Sequence, residues 1–280
     1  LAGKKTDKEK FSGALYTLSI EGIMTDGKAL QMGTSHNLGQ GFAESFNINF
    51  LDKEGKKNIP WQNSWGVSTR LIGALTMVHG DDKGLVLPPK VAYNKVVIIP
   101  LLFKGKEKKV LAKAKELAKK LENLNPILDD RDYNPGWKFN EHELKGIPIR
   151  IEIGPKDIEK KQVVIVRRDT GKKTETKETN VQKEVASLLE EIQDSLFKKA
   201  KKSFDEKIIE VKDMTKLKEA IANQKIALSF FCGKGSCEEV IKEKADAKTI
   251  NMPLENNKKE GKCVVCGKTA KDLVYIGKSY

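Results

Sequence analysis

The sequence runs to 280 residues, 39% hydrophobic and 32% charged, with 52 Lys and Arg against 39 Asp and Glu for a net charge of +13. That length accommodates two or three domains of roughly 100–150 residues, the composition is that of soluble globular proteins, and no apolar run nears the roughly 18–20 residues of a bilayer-spanning helix, so a membrane protein is excluded. The positive balance favours a polyanionic partner, but Lys113, Lys115, Lys119 and Lys120 share one helical exterior, where solvation explains them equally well, and motifs must decide.

The N-terminus, Leu1-Ala2-Gly3-Lys4-Lys5, has neither an initiator methionine nor the apolar stretch of a signal peptide. It reads as a processed or truncated start, and with nothing directing secretion the cytoplasm is the expected location. Residues 16–20 and 29–31 are β-rich runs around Thr25-Asp26-Gly27-Lys28, and Asp-Gly between strands signals an antiparallel hairpin. Residues 38–46 suggest a short helix after a polar loop. Over 68–78, Leu71, Leu75 and Val78 recur at helical spacing before a turn at residues 79–84. Leu85-Val86-Leu87 reads as a buried strand ending at Pro88-Pro89, and a domain change is expected near residues 91–95.

A continuous apolar run at 96–102 predicts a buried strand, and Val110, Leu111, Ala114, Leu117, Ala118, Leu121 and Leu124 predict an amphipathic helix. A short strand at Ile127-Leu128 follows, then a loop marked by Pro135-Gly136, a strand at 149–153, and a hairpin from 163–166 through Asp169-Thr170-Gly171. Strands alternating with helices indicate an α/β layer. His142 reads as an exposed helix residue and His79 has no assigned role. A long amphipathic helix spans about 181–201 on Val185, Leu188, Leu189, Ile192 and Leu196. The last section carries a strand at 208–211, a helix from about Asp213 and an apolar strand at 226–231.

All four cysteines follow that strand: Cys232 and Cys237 with four residues between them, Cys263 and Cys266 with two, and Gly233 and Gly267 beside them. Two such knuckles can present four thiolates tetrahedrally to one structural zinc. Two disulfides are the alternative, and the lack of a secretory signal favours zinc.

The strongest run is Gln62-Asn63-Ser64-Trp65-Gly66-Val67-Ser68-Thr69-Arg70-Leu71-Ile72-Gly73-Ala74-Leu75, continuing through His79-Gly80-Asp81-Asp82-Lys83-Gly84 to Pro88-Pro89-Lys90-Val91. An arginine at the mouth of a strand-to-helix turn is placed to contact a polyphosphate. By residue type alone, Phe11 and Trp65 read as core, His36 as a satisfied loop histidine and Arg70 as the partner of a surface carboxylate. The run resembles motif 3 of class II aminoacyl-tRNA synthetases in the prolyl version, of the archaeal and eukaryotic type. Lys10-Phe11-Ser12-Gly13-Ala14 and Gly33-Thr34-Ser35-His36-Asn37-Leu38-Gly39-Gln40 are similar to two further stretches of that catalytic half. Pro135-Gly136-Trp137-Lys138-Phe139, the run 143–154 and Val166-Arg167-Arg168-Asp169 resemble its anticodon-binding domain.

The resemblance implies a proline–tRNA ligase of protein biosynthesis, which joins proline to ATP with Mg, forms prolyl-adenylate and transfers proline to tRNA(Pro). Gln31, Thr34, Ser68 and Arg70 are then the ATP-binding residues, with Arg70 catalytic at the triphosphate, and Phe11, His36 and Trp65 the proline-binding ones. Trp137, Lys138, Phe139, Glu143 and Arg150 are the anticodon-binding residues, since unstacked bases call for aromatic, carboxylate and basic groups together. Cys232, Cys237, Cys263 and Cys266 are the zinc ligands.

The implied fold is a multidomain α+β and α/β chain. Residues 1–95 form the C-terminal half of a class II antiparallel-sheet catalytic domain, 96–200 an α/β anticodon-binding domain, and 201–280 a small α+β zinc-binding C-terminal domain. Motif 1, which builds the homodimer interface, and motif 2, whose arginine bridges the amino-acid carboxylate and α-phosphate, do not occur in these residues. The chain is therefore expected to be an inactive fragment on its own. A non-catalytic synthetase-like tRNA-binding protein is one alternative reading, and an unrelated zinc-ribbon nucleic-acid protein is another.

Overall fold

The computed structural model describes residues 1–255 and 260–280. Two compact units emerge, one of Leu1–Ala74 with Ser203–Tyr280 and one of Leu75–Lys202.

The first unit contains a five-stranded antiparallel sheet in the order Met252–Pro253, Ala2–Lys4, Tyr16–Ile23, Ala29–Gly39 and Gln62–Val67. Asp-Gly makes the expected hairpin: Gly27 takes φ +80°, and the Asp26 side chain accepts from the Lys28 amide at 3.1 Å. Alternation along Tyr16–Ile23 sends Thr17, Ser19, Glu21 and Ile23 inward. The buried polar members find partners, Ser19 with the Asn251 amide at 3.1 Å and Glu21 with the buried ammonium of Lys5 at 2.7 Å, as burial requires.

A second sheet in this unit orders Ile208–Glu210, Ile226–Phe231, Asp272–Gly277 and Lys248–Thr249, its first pair parallel and the others antiparallel. Helices Met214–Ala222 and Gly235–Ala245 supply Leu217, Ile221 and Ile241 to a core shared with Phe231, Val274 and Ile276. Asp213 caps the first of these, accepting from the Lys216 amide at 2.9 Å.

The second unit is built on a mixed sheet ordered Lys173–Lys177, Gln162–Arg167, Ile149–Ile153, Val96–Pro100 and Ile127–Leu128. Every residue of the two inner strands Val96–Pro100 and Ile149–Ile153 is buried, the mark of a layer covered on both sides. Helices Glu107–Lys120 and Val181–Lys207 pack on one face through Val110, Leu117, Val185 and Ile192. Phe139 of helix Pro135–Leu144 joins Val97 and Ile99 on the other.

Three expectations need correction. Leu85-Val86-Leu87 is not a ladder strand: followed by two prolines without N–H groups, it runs along the end of helix Pro135–Leu144, donating from Leu85 to Leu144 O at 3.0 Å and from Leu87 to Gly146 O at 3.2 Å. Pro135-Gly136 opens that helix and is not a loop. Asn134 caps it by accepting from the Gly136 amide at 2.8 Å, and proline at the first position loses no hydrogen bond there. His142 is buried, 4% exposed, because Asp129 receives it from a neighbouring loop.

Candidate metal, nucleotide and RNA sites

The four cysteines converge. Cys232 ends the strand Ile226–Phe231, Cys237 lies in the first turn of Gly235–Ala245, and Cys263 and Cys266 bracket a tight turn between the short strands Gly261–Lys262 and Thr269–Ala270. All four sulfurs fall within 4.8 Å of one another, with 3.6 Å between Cys232 and Cys237 and 3.8 Å between Cys266 and Cys232. Sulfurs about 2.3 Å from a tetrahedral ion stand about 3.8 Å apart, so the set fits a four-thiolate metal site, and the cysteines are free thiols. Burial, and then the neighbouring sulfurs, push the Cys237 thiol well up. The Lys268 backbone N–H and the neighbouring thiols lower Cys266 to about 7. A thiol that coordinates a cation is held as the thiolate.

On the sheet of the first unit, Arg70 opens helix Arg70–His79 directly after the strand Gln62–Val67. Its guanidinium donates to Gln31 O at 3.1 Å and its amide to the Ser68 hydroxyl at 3.3 Å, which brings Gln31, Ser68 and Arg70 together. Thr34 and His36 stand opposite Ser19 and Thr17, so they share one face of the sheet. Phe11 joins that face. Its ring lies 4.9 Å from His36, its amide donates to Thr17 Oγ1 at 3.0 Å, and the same hydroxyl meets His36 Nδ1 at 2.9 Å. Trp65 is not brought to this group. It pairs with Ser35, on the opposite face, and there stands 79% exposed beside Ile20 and Val67.

Helix Pro135–Leu144 divides four of the five expected RNA-binding residues among its sides, since positions four apart stack and neighbours do not. Phe139 and Glu143 take one side, where Arg150 reaches them from the adjacent strand. Its guanidinium lies 4.1 Å over the Phe139 ring and donates to Glu143 at 2.9 Å and to Glu152 at 3.0 Å. Lys173 stands 3.4 Å from the other Glu152 oxygen. The sequence reasoning missed Glu152 and Lys173. Glu152 is two residues from Arg150 on a strand, and Lys173 pairs with Val166, itself opposite Arg150, so strand alternation carried the signal.

Lys138 and His142 occupy the inner side. Lys138 is 2% exposed and donates to Asp129 O at 3.1 Å, while His142 Nε2 meets Asp129 Oδ2 at 2.8 Å. Trp137 and Glu141 occupy the third side. Arg131, held by both Asp129 oxygens at 2.8 Å and by Glu141 at 2.6 Å, places its guanidinium 5.4 Å from the Tyr133 ring and 5.3 Å from that of Trp137. The hydrogen bonds from Arg131, and next that from His142, hold the Asp129 carboxyl well below the usual carboxylate range.

Residues 95–192 match the family model described as Anticodon binding domain, and residues 214–280 match the one described as Prolyl-tRNA synthetase, C-terminal. Both models describe domains found in aminoacyl-tRNA synthetases. The chain is 50% identical over 281 residues to "Proline--tRNA ligase" of Oceanobacillus iheyensis, covering 100% of this chain and 58% of that protein. It is 49% identical over 279 residues to the protein of that name from Lachnoclostridium phytofermentans, 99% of this chain and 58% of the relative. To "Proline--tRNA ligase 2" of Bacillus cereus it is 50% identical over 283 residues, 100% and 59% respectively. The chain is thus similar along its whole length to proline–tRNA ligases, and over residues 214–280 to the domain described as Prolyl-tRNA synthetase, C-terminal. It spans under three-fifths of the length of these curated relatives.

Proposed function

We propose that the chain is part of a proline–tRNA ligase that activates proline with ATP and Mg to prolyl-adenylate and passes the prolyl group to tRNA(Pro). The observation that carries this reading is about 50% identity along the whole chain to proteins named Proline--tRNA ligase. Residues 1–95 are the C-terminal half of a class II catalytic domain, 96–200 the anticodon-binding domain and 201–280 the zinc-binding domain. The compact units of the fold divide the chain differently, grouping 203–280 with 1–74.

In this reading Gln31, Thr34, Ser68 and Arg70 hold ATP. Arg70 is the catalytic residue, its guanidinium meeting the charge that develops as the α-phosphate is attacked and pyrophosphate leaves. Mg, when bound with ATP, neutralises the phosphates further. Phe11 and His36 wall the pyrrolidine ring of proline, while Trp65, exposed on the other face of the sheet, stands away from that wall. The close grouping of Gln31, Ser68 and Arg70 favours the ligase over a non-catalytic tRNA-binding relative.

Phe139, Glu143 and Arg150 read anticodon bases by stacking and edge hydrogen bonds, Trp137 offers a further stacking surface, and the buried Lys138 keeps the helix seated. Zinc, when bound by Cys232, Cys237, Cys263 and Cys266, ties the C-terminal knuckles together. The whole enzyme is a cytoplasmic homodimer. Arg70→Ala in a full-length synthetase carrying this chain is expected to lower proline-dependent ATP–pyrophosphate exchange by about 100-fold or more, with tRNA affinity unchanged. Exchange at the wild-type rate would refute the assignment.

A further inference from the structure

The turn at residues 81–84 precedes the residues matched as an anticodon-binding domain, yet it converges on that domain's Glu143. Two backbone hydrogen bonds of 3.0 Å between Asp81 and Gly84 close it. Gly84 sits at φ +118°, and a Cβ there would lie 2.7 Å from Leu144 O, so glycine permits the close approach. The Asp81 carboxylate receives both terminal nitrogens of Arg168, at 2.7 and 2.6 Å, and Arg168 Nε donates to Glu143 O at 2.8 Å. The Arg168 side chain is 3% exposed. Lys83, largely exposed, stands 3.9 Å from Glu143 Oε2, the oxygen that Arg150 does not take.

The last carbonyls of a helix have no partner within it. At the end of Pro135–Leu144, Glu143 O accepts from Gly146 N at 3.0 Å and also from Arg168, itself locked by Asp81, and Leu144 O accepts from Leu85 N at 3.0 Å. A planar guanidinium gripped along two edges cannot turn, so Asp81 fixes the orientation of the helical turn from which the Glu143 side chain projects.

We infer that the turn at residues 81–84 is a working part of the RNA-reading site, in which Asp81 acts through Arg168 as a positioning residue for Glu143 and Lys83 meets a phosphate of the same tRNA loop. The inference rests on Glu143 reading an anticodon base. Equilibrium binding of the 280-residue chain to a proline tRNA transcript and to the same transcript with a scrambled anticodon, at one salt concentration, tests both levels. Glu143→Gln is expected to abolish the preference between the two RNAs. Asp81→Asn lowers the preference about three- to tenfold, Asp81→Glu restores part of it, and Asp81→Asn adds nothing in the Glu143→Gln background, because Asp81 works through that carboxylate. Lys83→Ala weakens both RNAs alike and reduces the salt slope by about one.

Wild-type preference in Asp81→Asn, with Glu143→Gln defective, overturns the positioning role and leaves base reading intact. Wild-type preference in Glu143→Gln removes base reading itself, and the inference with it. An equal loss for both RNAs in Asp81→Asn means general loosening and also overturns it. Far-UV circular dichroism checks that each variant is folded, and Arg168→Lys, which keeps the charge but loses the fork, provides the same comparison if Asp81→Asn is not.

Discussion

Removing the metal from the cysteine site is expected to release the segment 261–270 while the strand Ile226–Phe231 stays ordered. That segment is two strands of two residues each around the turn that holds Cys263 and Cys266, too short to persist as an isolated hairpin. Ordering roughly ten residues costs on the order of 10–20 kcal/mol of backbone entropy. Its apolar anchors are Val264 and Ala270, whose burial returns about 3 kcal/mol together. The hydrogen bond from Val264 N to Phe230 O adds about 1 kcal/mol. The shortfall matches the roughly 10–16 kcal/mol apparent for structural zinc bound by thiolates near neutral pH. Phe231, Ile241, Val274 and Ile276 keep their mutual contacts whether or not the ion is bound, so release stays local. Hydrogen exchange followed by mass spectrometry, on chain loaded with one equivalent of zinc and after complete chelation, reads this directly. Loss of protection should concentrate in 261–270 and return when zinc is added back. Unchanged exchange there after the metal is gone would refute the reasoning, as would a zinc content far from one per chain.

Acid should expose the Asp129 cluster. Because Arg131, and next His142, depress the folded pKa of Asp129 from 3.8, its stabilising contribution is full above about pH 4 and is lost as the pH falls from there through the folded value. The melting-temperature gap between the parent chain and Asp129→Asn should therefore shrink below about pH 4; a gap constant to pH 2.5 would contradict the pairing. On the sheet of the first unit, His36→Ala in the full-length synthetase should raise the KM for proline in pyrophosphate exchange about tenfold, and Trp65→Ala much less, because the two side chains leave opposite faces of the sheet. Equal effects would mean that register does not separate them.

Much of this arrangement could be read from residue pattern. Asp-Gly announced the hairpin, an unbroken apolar run announced the inner strand Val96–Pro100, and the spacing of four cysteines announced a cluster whose two pairs are distant in sequence and together in space. What escaped notice depended on partners distant in the chain. The inner stripe of helix Pro135–Leu144 is polar, and Lys138 and His142 are buried because Asp129 satisfies both, which hydrophobic periodicity cannot reveal. Pro-Gly at 135–136 is a turn signal by residue type, and only the cap at Asn134 and proline's tolerance at the first helical position make it a helix start. The separation of Trp65 from His36 follows from strand register, which includes irregularities between Ile20 and Glu21 and between Asn37 and Gly39 that a one-dimensional pattern does not locate. Helix Gly235–Ala245 is hard to read from sequence because its buried stripe, Cys237, Ile241 and Ala245 at steps of four, includes a cysteine of the metal-binding pattern.

The chain's assignment to proline tRNA is tested most directly by binding alone. The purified 280-residue chain should bind proline tRNA in a salt-sensitive manner, since lysine and arginine contacts to phosphate release counterions. It should prefer that tRNA over one with a scrambled anticodon by about tenfold, while showing no proline-dependent ATP–pyrophosphate exchange above background. Equal affinity for both RNAs across the salt series would contradict anticodon reading by Phe139, Glu143 and Arg150 and reduce that surface to a nonspecific one.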